Sequence, residues 1–384
     1  MADDIVATGI LALTSRLYSA YMHCSISDLI RISSMYMTIA ETETLVRSVF
    51  EANGVLPETA LSVAFALVHA EAAGQYGHGL RRISAYIGQA RSGKVDGKAQ
   101  VSSFRPRPAV LSIDAALGYA YPAFDLAVDE LPVIAREQGL ALGLVHRSHH
   151  AGVMALTVER FAEQGLVALM FANAPASMAA WGGRKRLFGT NPIAFATPVA
   201  GEEPLVIDLA LSTVAAGKIM AARQKGEAIP EGWAFDADGQ PTTDPNAALK
   251  GLMAPSGGAK GAALALMVEV LSAGLTGGNF SGQASSFMEP NGAPPSVGQT
   301  LIVIDPSAGT ESAAGRIAEL AEEIASEDGV RLPGRRGQSS RRKAIEHGLE
   351  VDDELIAMIS ALAKPEVLQP ATADRPEAPA QKRA

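Results

Sequence analysis

The 384-residue chain holds one cysteine, two tryptophans, and no run of apolar residues long enough to cross a bilayer. Each scarcity excludes something. Cys24 has no partner for an internal disulfide, which fits a reducing compartment and a cytoplasmic protein. A spanning helix needs about 18 consecutive apolar residues, so no membrane insertion is expected. The start, Met1-Ala2-Asp3-Asp4, carries no basic segment, and the apolar run Ile10-Leu11-Ala12-Leu13 is too short for a secretory signal. Positive charge is in deficit: 32 Lys and Arg face 41 Asp and Glu, a net charge of -9. A phosphate-backbone-binding face wants clustered cations, so no nucleic-acid partner is expected. No G-x-G-x-x-G follows a strand, so the Rossmann fingerprint is missing as well.

What the chain does have is core material, with 48% hydrophobic residues, and a clear order of elements. Residues 1–36 have no evident partner element and read as an extra arm. Thr38-Ile39-Ala40-Glu41 is a capping box, and the helix it opens stops at Gly54. Pro57 opens a second helix with Leu61, Ala64, Leu67 and Val68 inward, and a third runs from near Gly79 to Gly93 with Ile83, Tyr86 and Ile87 inward. Residues 37–120 thus read as a helical cap. From Phe124 helix and strand alternate: a helix to Gln138, a strand Leu140 to Val145, a helix Gly152 to Gln164, a strand Leu166 to Phe171. Residues 121–310 therefore read as an α/β domain, which continues with strands around a Pro198 to Pro204 loop, a helix Lys260 to Ser272 and a strand Leu301 to Ile304. The Gly-, Ser- and Pro-rich loop Asn279 to Gln299 is expected to cross the surface or cover a site. Helices from Ser312 to Ser326 and from Lys343 through Ile359, within 311–363, are expected to return to the cap; the Pro-, Ala- and charge-rich tail 364–384 is expected to be disordered.

Polar residues at the ends of buried strands are where α/β proteins hold ligands. Thr190, Asn191, Asp208 and Lys218 stand at such places. His78 lies between Gly77 and Gly79, where open backbone admits a ligand, although a histidine there also serves simply as a loop residue bonded to backbone. Arg82 follows four residues later and would share a helical face with His78 had the helix begun by then; unaided, it reads as a solvated arginine beside Arg81. Lys218 sits near a helix start, where the dipole disfavours a cation. His150-Ala151-Gly152-Val153-Met154 opens a helix after a strand, so its amides could meet a phosphate. His146, His149 and His150 are close in sequence, but no acidic or cysteine set accompanies them at ligand spacing, and no metal is expected.

Blocks in order along the chain carry a resemblance. Gly77-His78-Gly79, Ser148-His149-His150, Leu187 to Pro198, Asp208-Leu209-Ala210, Gly217-Lys218, Pro230-Glu231-Gly232-Trp233, Pro241 to Pro245, Gly257 to Gly261 and Leu275-Thr276-Gly277-Gly278 resemble the malate/L-lactate dehydrogenase-like NAD(P)-dependent oxidoreductases. The likeness implies an α/β fold with a mixed sheet that binds its nicotinamide cofactor without Rossmann glycines, capped by helices from both ends of the chain, and a homodimer. It makes His78 the proton donor and Arg82 a substrate-carboxylate contact, a role that suits the guanidinium fork. It makes Thr190 a substrate contact, and it places cofactor contacts at His150 to Met154, at Asp208, Leu209 and Ala210, and at Gly258 and Ala259. Without it, these cofactor positions would read as turn and cap chemistry, Thr190 as a turn residue and Lys218 as a surface cation.

Within the family, the wording is most similar to the Δ1-piperideine-2-carboxylate/Δ1-pyrroline-2-carboxylate reductases, which favour NADPH over NADH. The departures are specific. That branch pairs its histidine with a preceding serine and a distant aspartate, here Gly77 and Lys218, and one of its substrate-contacting histidines is Ala216. Leu332-Pro333-Gly334-Arg335-Arg336 stands where the family has Pro-Gly-Glu. A carboxylate favours a charged imidazole and a lysine disfavours it. Lys218 instead resembles the 2-hydroxy-acid dehydrogenases, and with Arg82 it would suit a 2-oxo acid, including one with an extra anionic group. The expected activity is hydride transfer between NAD(P)H and C2 of a small 2-oxo acid or cyclic imino acid, with Lys218 helping to position the reacting centre. The alternative is a dinucleotide-binding regulatory or interaction protein that has lost catalysis.

Overall fold

A computed structural model describes residues 34–363. The expected disordered tail and most of the expected arm, residues 1–33, lie outside the described residues. Residues 34–36 are not a free arm, because Ser34–Met37 forms β1 and pairs antiparallel with Leu349–Asp352. Helix α1 (Ile39–Ala52) begins at the capping box: Glu41 N–H donates to Thr38 Oγ1 over 3.1 Å, and Thr38 N–H to the Glu41 carboxylate over 2.8 Å. Pro57 opens α2 (Pro57–Ala72). Its buried stripe runs through Ala60, Val63, Ala64, Leu67 and Val68, so Leu61, expected inward, lies one step round the helix and is exposed. A short 3₁₀ turn, Leu80–Arg82, leads into α3 (Ile83–Ser92), with Ile83, Tyr86 and Ile87 buried.

Two strands then interrupt the segment expected to be helical. β2 (Ser102–Arg107) is polar and carries Pro106, which hides it from a hydrophobic-pattern reading and suits an edge strand. β3 (Val110–Asp114) alternates, with Leu111 and Ile113 buried. The expected alternation follows in α4 (Tyr121–Gln138), β4 (Leu140–Ser148), α5 (Met154–Ala162) and β5 (Val167–Ala172). A small hairpin, β6 (Met178–Ala179) and β7 (Arg186–Phe188), precedes β8 (Ile193–Val199) and β9 (Glu202–Leu209). After α6 (Ala216–Lys225) come β10 (Ala234–Phe235), β11 (Pro241–Thr242), α7 (Pro245–Lys250) and β12 (Leu252–Met253). Next are α8 (Ala259–Glu269), prolonged by one π turn Val270–Gly274, then β13 (Val297–Ile304) and α9 (Ala313–Ala325).

The single helix expected from Lys343 through Ile359 is instead α10 (Arg335–His347), β14 (Leu349–Asp352) and α11 (Asp353–Leu362). Gly348 makes the break: its φ of +84° is left-handed, and an added Cβ would come within 2.9 Å of the Met37 carbonyl oxygen. α10 packs on α2 and α11 on α1 and α3, whereas α9 lies on β8 through Ala321 beside Val199 and Leu332.

The main sheet has seven strands in the order β2-β3-β4-β13-β5-β8-β9 and is mixed, with β3–β4 parallel and the other neighbours antiparallel. Side chains alternate between its two faces. Ala168, Met170, Leu301 and Val303 join α1 to α5 in the larger core. Leu169, Phe171 and Ile302 face the other way, into a second core with α8 and the small β10-to-β12 lobe. The carboxyl end of β4, the amino end of α5 and the end of β9 meet where these layers open.

Candidate functional site

β4 delivers Ser148-His149-His150 to the underside of α3. His149 is buried at 1% exposure, and neither ring nitrogen has a partner. His150 Nδ1 lies 2.7 Å from the Tyr86 hydroxyl, which is 3.0 Å from the Tyr121 hydroxyl. His78 stacks on His150, ring centroids 5.1 Å apart and planes inclined by 14°. The His78 Nδ1 atom is buried and has no partner. Burial, then the nearby Arg82 guanidinium, pushes His78 down to about 4. Burial, then Lys94 and Arg82, pushes His149 down to about 3, and burial with Arg82 and the two neighbouring imidazoles holds His150 well below the ordinary range.

Arg82 reaches this place by another route than helical spacing. α3 has not begun at His78, and Arg82 folds back so that Nε donates to the Gly77 carbonyl over 2.6 Å. Glu71 secures the same turn from below, its buried carboxylate accepting the Leu80 N–H over 2.8 Å. Burial raises the Glu71 pKa, against the pull of that bond.

The glycine-rich loop before β13 covers the site. Phe287 packs 5.0 Å from the His150 ring and 5.3 Å from His149, and Met288 Sδ lies 2.8 Å from an Arg82 nitrogen. Lys94, itself buried, pins this strap by donating to the carbonyls of Ser286, Glu289 and Asn291 over 2.6, 2.9 and 3.3 Å.

The second half of the site begins four residues after His150. α5 opens at Met154 rather than at Gly152, and its free amides are not all idle: the Asp208 carboxylate accepts the N–H groups of Met154 and Ala155, the latter over 2.9 Å. Asp208 as a residue is exposed at the end of β9, yet protein crowding its carboxyl pushes it up to about 6, against those two bonds. Gly152 has a φ of +67°, and a Cβ there would meet the Tyr121 hydroxyl at 2.6 Å, so the chain must pass bare beside the tyrosine. A cleft of about 250 Å³ opens here, lined by Val153, Ala155, Asp208, Arg331, Arg336 and Arg341. Arg341 is paired with Glu159, while among the described residues the side chains of Arg331 and Arg336 have no hydrogen bond or ion pair. Arg335 pairs instead with Glu202 and Glu203.

Beyond Asp208, Leu209 and Ala210 are exposed. The chain then runs beside the approach to α8: Leu211 N–H donates to the Thr190 carbonyl, Ser256 N–H to the Leu211 carbonyl, both over 2.8 Å, and Ser212 bridges Pro255. Thr190, the Asp208 segment and Gly258-Ala259 are thereby linked. Gly258 also faces the Trp181 ring. Asn191 proves to be structural: fully buried, it donates to Glu269 over 2.7 Å and to the Ala265 carbonyl over 2.9 Å. Glu269 also accepts from the Ser281 hydroxyl over 2.6 Å, tying the Thr190 turn to the strap.

Lys218 stands apart, exposed in the first turn of α6. Among the described residues, no hydrogen bond, ion pair or ring contact joins Lys218 or Thr190 to His78 or Arg82. Sequence reading missed Tyr121, Phe287, Glu71 and Glu269 entirely and took Tyr86 for core alone; only the tyrosine hydroxyls, which must find partners when buried, could have signalled the cluster. Among the described residues, no group of His, Cys, Asp and Glu is placed to hold a metal, and no helix is long and apolar enough to cross a membrane.

Comparison with known proteins gives these features a context. A family model described as malate/L-lactate dehydrogenase matches residues 37–360. The chain is 48% identical over 330 residues to the (2R)-3-sulfolactate dehydrogenase (NADP(+)) of Chromohalobacter salexigens, which covers 86% of this chain and 98% of that protein. It is 40% identical over 316 residues to the Δ1-pyrroline-2-carboxylate/Δ1-piperideine-2-carboxylate reductase of Pseudomonas putida, covering 82% of this chain and 93% of that one. The crystal structure of Δ1-piperideine-2-carboxylate reductase from Pseudomonas syringae pv. tomato is similar with a TM-score of 0.81 at 39% identity, over 85% of this chain and 99% of that chain. The shared fold, the identity along nearly the whole length of these relatives and the family match together show that the chain belongs to the malate/L-lactate dehydrogenase family.

Proposed function

We propose that the protein is an NADP-dependent oxidoreductase that transfers hydride to C2 of a small 2-oxo acid, with a cyclic imino acid as the second substrate class. The observation that carries this reading is the stack of half-buried His78 on buried His150, beside Arg82 and under the Phe287 strap. The fit to a dinucleotide phosphate is given by the cleft, where two arginines without partners among the described residues face the amino end of α5. Arg331 and Arg336 would meet phosphate groups there, the 2′-phosphate of NADPH included, and His150 to Met154, Asp208, Leu209, Ala210, Gly258 and Ala259 would line the rest. The sheet would hold this cofactor without Rossmann glycines, with α1 to α3, α10 and α11 as the helical cap.

When bound, the nicotinamide supplies the hydride. Arg82 would hold the substrate carboxylate, and Thr190 and Lys218, which make no hydrogen bond or ion pair with His78 or Arg82 among the described residues, would help to position the reacting centre. As C2 gains hydride, the C=O or C=N electron pair moves onto oxygen or nitrogen, which takes its proton from His78. Burial, then Arg82, disfavours the charged form of His78 and holds it down to about 4. A substrate carboxylate against Arg82 offsets that charge and raises the proton affinity of His78 when the acid is needed.

The preference for a 2-oxo acid with a second anionic group follows from Lys218, a cation where the cyclic-imine branch has an acid, and from the relative named for 3-sulfolactate at 48% identity. The imino-acid reductases at about 40% identity favour the second class. A binding protein without catalysis finds no support among these relatives. A homodimer is proposed on the exposed apolar face of α8 and its π turn, Leu264, Leu266, Met267, Val270 and Leu275, which wants a partner surface; a cytoplasmic location rests on the cysteine usage alone.

Following NADPH oxidation by absorbance with pyruvate, oxaloacetate, 3-sulfopyruvate and Δ1-piperideine-2-carboxylate tests the proposal. At least one, with a dianionic 2-oxo acid fastest, should be reduced and should cease to be in His78→Gln. NADPH binding with no turnover across the panel would reject it.

A further inference from the structure

The family branch that orients its histidine with an aspartate has no counterpart here, and the His78 Nδ1 atom has no hydrogen-bond partner. Something else must fix this ring. We infer that Tyr86, acting through His150, is the positioning residue for His78, with the hydroxyl column Tyr121–Tyr86–His150 taking the place of the absent carboxylate. The inference rests on the proposed role of His78 as proton donor for its purpose, but not for its geometry.

Counting protons fixes the direction of the column. Tyr121 has the Tyr86 hydroxyl as its hydrogen-bond partner among the described residues, and both rings are buried. If His150 Nδ1–H donated to Tyr86, Tyr86 would donate to Tyr121, and the Tyr121 proton would be left buried without an acceptor, which is costly. If Tyr121 donates to Tyr86 and Tyr86 to His150 Nδ1, both hydroxyl protons are used. His150 is then the tautomer with its proton on Nε2, held in one orientation. Its flat face meets His78 at 5.1 Å and 14°. A neutral imidazole face suits both states of the cycle: it packs against neutral His78, and it offers π density to the imidazolium. A second charged imidazole could not.

Other groups press on the same place without doing this job. Arg82 and Lys94 are cations, His149 lies edge-on to Tyr86 with no hydrogen bond, and the Tyr119 hydroxyl donates to the Tyr86 carbonyl over 2.9 Å. None touches both His150 Nδ1 and a proton source.

The test is nitrogen NMR of the full chain labelled at histidine, with the His78 signals assigned by their loss in His78→Gln. Tyr86→Phe keeps the ring and removes the hydroxyl. It should move the His78 nitrogen signals, mix the His150 tautomers and, where the panel is turned over, lower kcat on the order of tenfold to a hundredfold with NADPH affinity changed less than about twofold. The acid limb of the kcat profile should move with it. Tyr119→Phe, which removes a hydroxyl from the same cluster but leaves the column whole, should leave the His78 signals in place. His78 signals unmoved in Tyr86→Phe, or moved equally by Tyr119→Phe, would overturn the inference. Signals that move in a protein that reduces no substrate would support it while sinking the proposed reaction.

Discussion

The two halves of the site are built on opposite principles. Around His78, three imidazoles, three tyrosines and Phe287 are packed together beside the cations Arg82 and Lys94; burial and those cations have pushed both unpartnered histidines, His78 and His149, toward the neutral form. Around Val153 and Asp208 the wall is open, and the Arg331 and Arg336 side chains lie there without counter-ions among the described residues. On the proposed reading, the packed half is an acid charged when its substrate arrives, and the open cationic cleft is a phosphate site ready at all times. Proton supply and cofactor capture can therefore be perturbed separately, which the following experiments exploit.

The largest effect expected is on stability and belongs to the packed half. His78 and His149 lie at about 4 and about 3 in the folded protein, against about 6.5 in an unfolded chain. The unfolded chain therefore takes up protons first as acid is added, so stability present above pH of about 6.5 is lost as the pH falls toward 4, by several kcal/mol on the order-of-magnitude scale of one unit to about 1.4 kcal/mol. Glu71, raised by burial, acts in the opposite sense and softens the fall, and Asp208, exposed and so screened by solvent, adds less in the same direction. Urea midpoints measured down this range should drop steeply in the wild type and less so in His149→Phe. Next in size, Arg82→Ala should weaken substrate binding about tenfold to a hundredfold, from loss of a charge-assisted bidentate bond, with NADPH affinity little changed.

In the open half, Arg331→Ala and Arg336→Ala should each weaken NADPH binding by about tenfold and NADH binding by much less, read by fluorescence titration. Equal losses for both cofactors would remove the arginines from the 2′-phosphate. The smallest effect is expected at Asp208. Above pH of about 6 it is an anion beside the phosphate cleft, so Asp208→Asn should bind NADPH a few-fold tighter than wild type there, on the order of a screened charge pair. The two proteins should converge as the pH falls below about 6.

The sequence was legible where a local rule decides the outcome. The Thr38–Glu41 box, Pro57 and the alternation from β4 to β5 all formed as their residue types require. It failed where tertiary contact overrides pattern: β2 is polar and proline-bearing yet edges the sheet, and Lys343 to Ile359 looks helical until Gly348 turns the chain so that β14 can meet β1. The wording singled out His78, Arg82 and the His150 segment, which the structure brings together, but not how they meet. Arg82 arrives by folding back on Gly77, and Asp208 closes the end of α5 across more than fifty residues of chain. Tyr86, Tyr121 and Phe287 were out of reach, because nothing local distinguishes a tyrosine or phenylalanine that packs from one that orients a histidine.

The most direct measurement is a single-turnover reduction by His78→Gln with NADPH in place, alongside titration of NADPH into the same variant. Wild-type cofactor affinity with the reduction slowed by at least about a hundredfold, as for loss of a general acid, is the predicted result. A rate close to wild type, or affinity and rate falling together, would contradict a site divided between proton supply and cofactor capture.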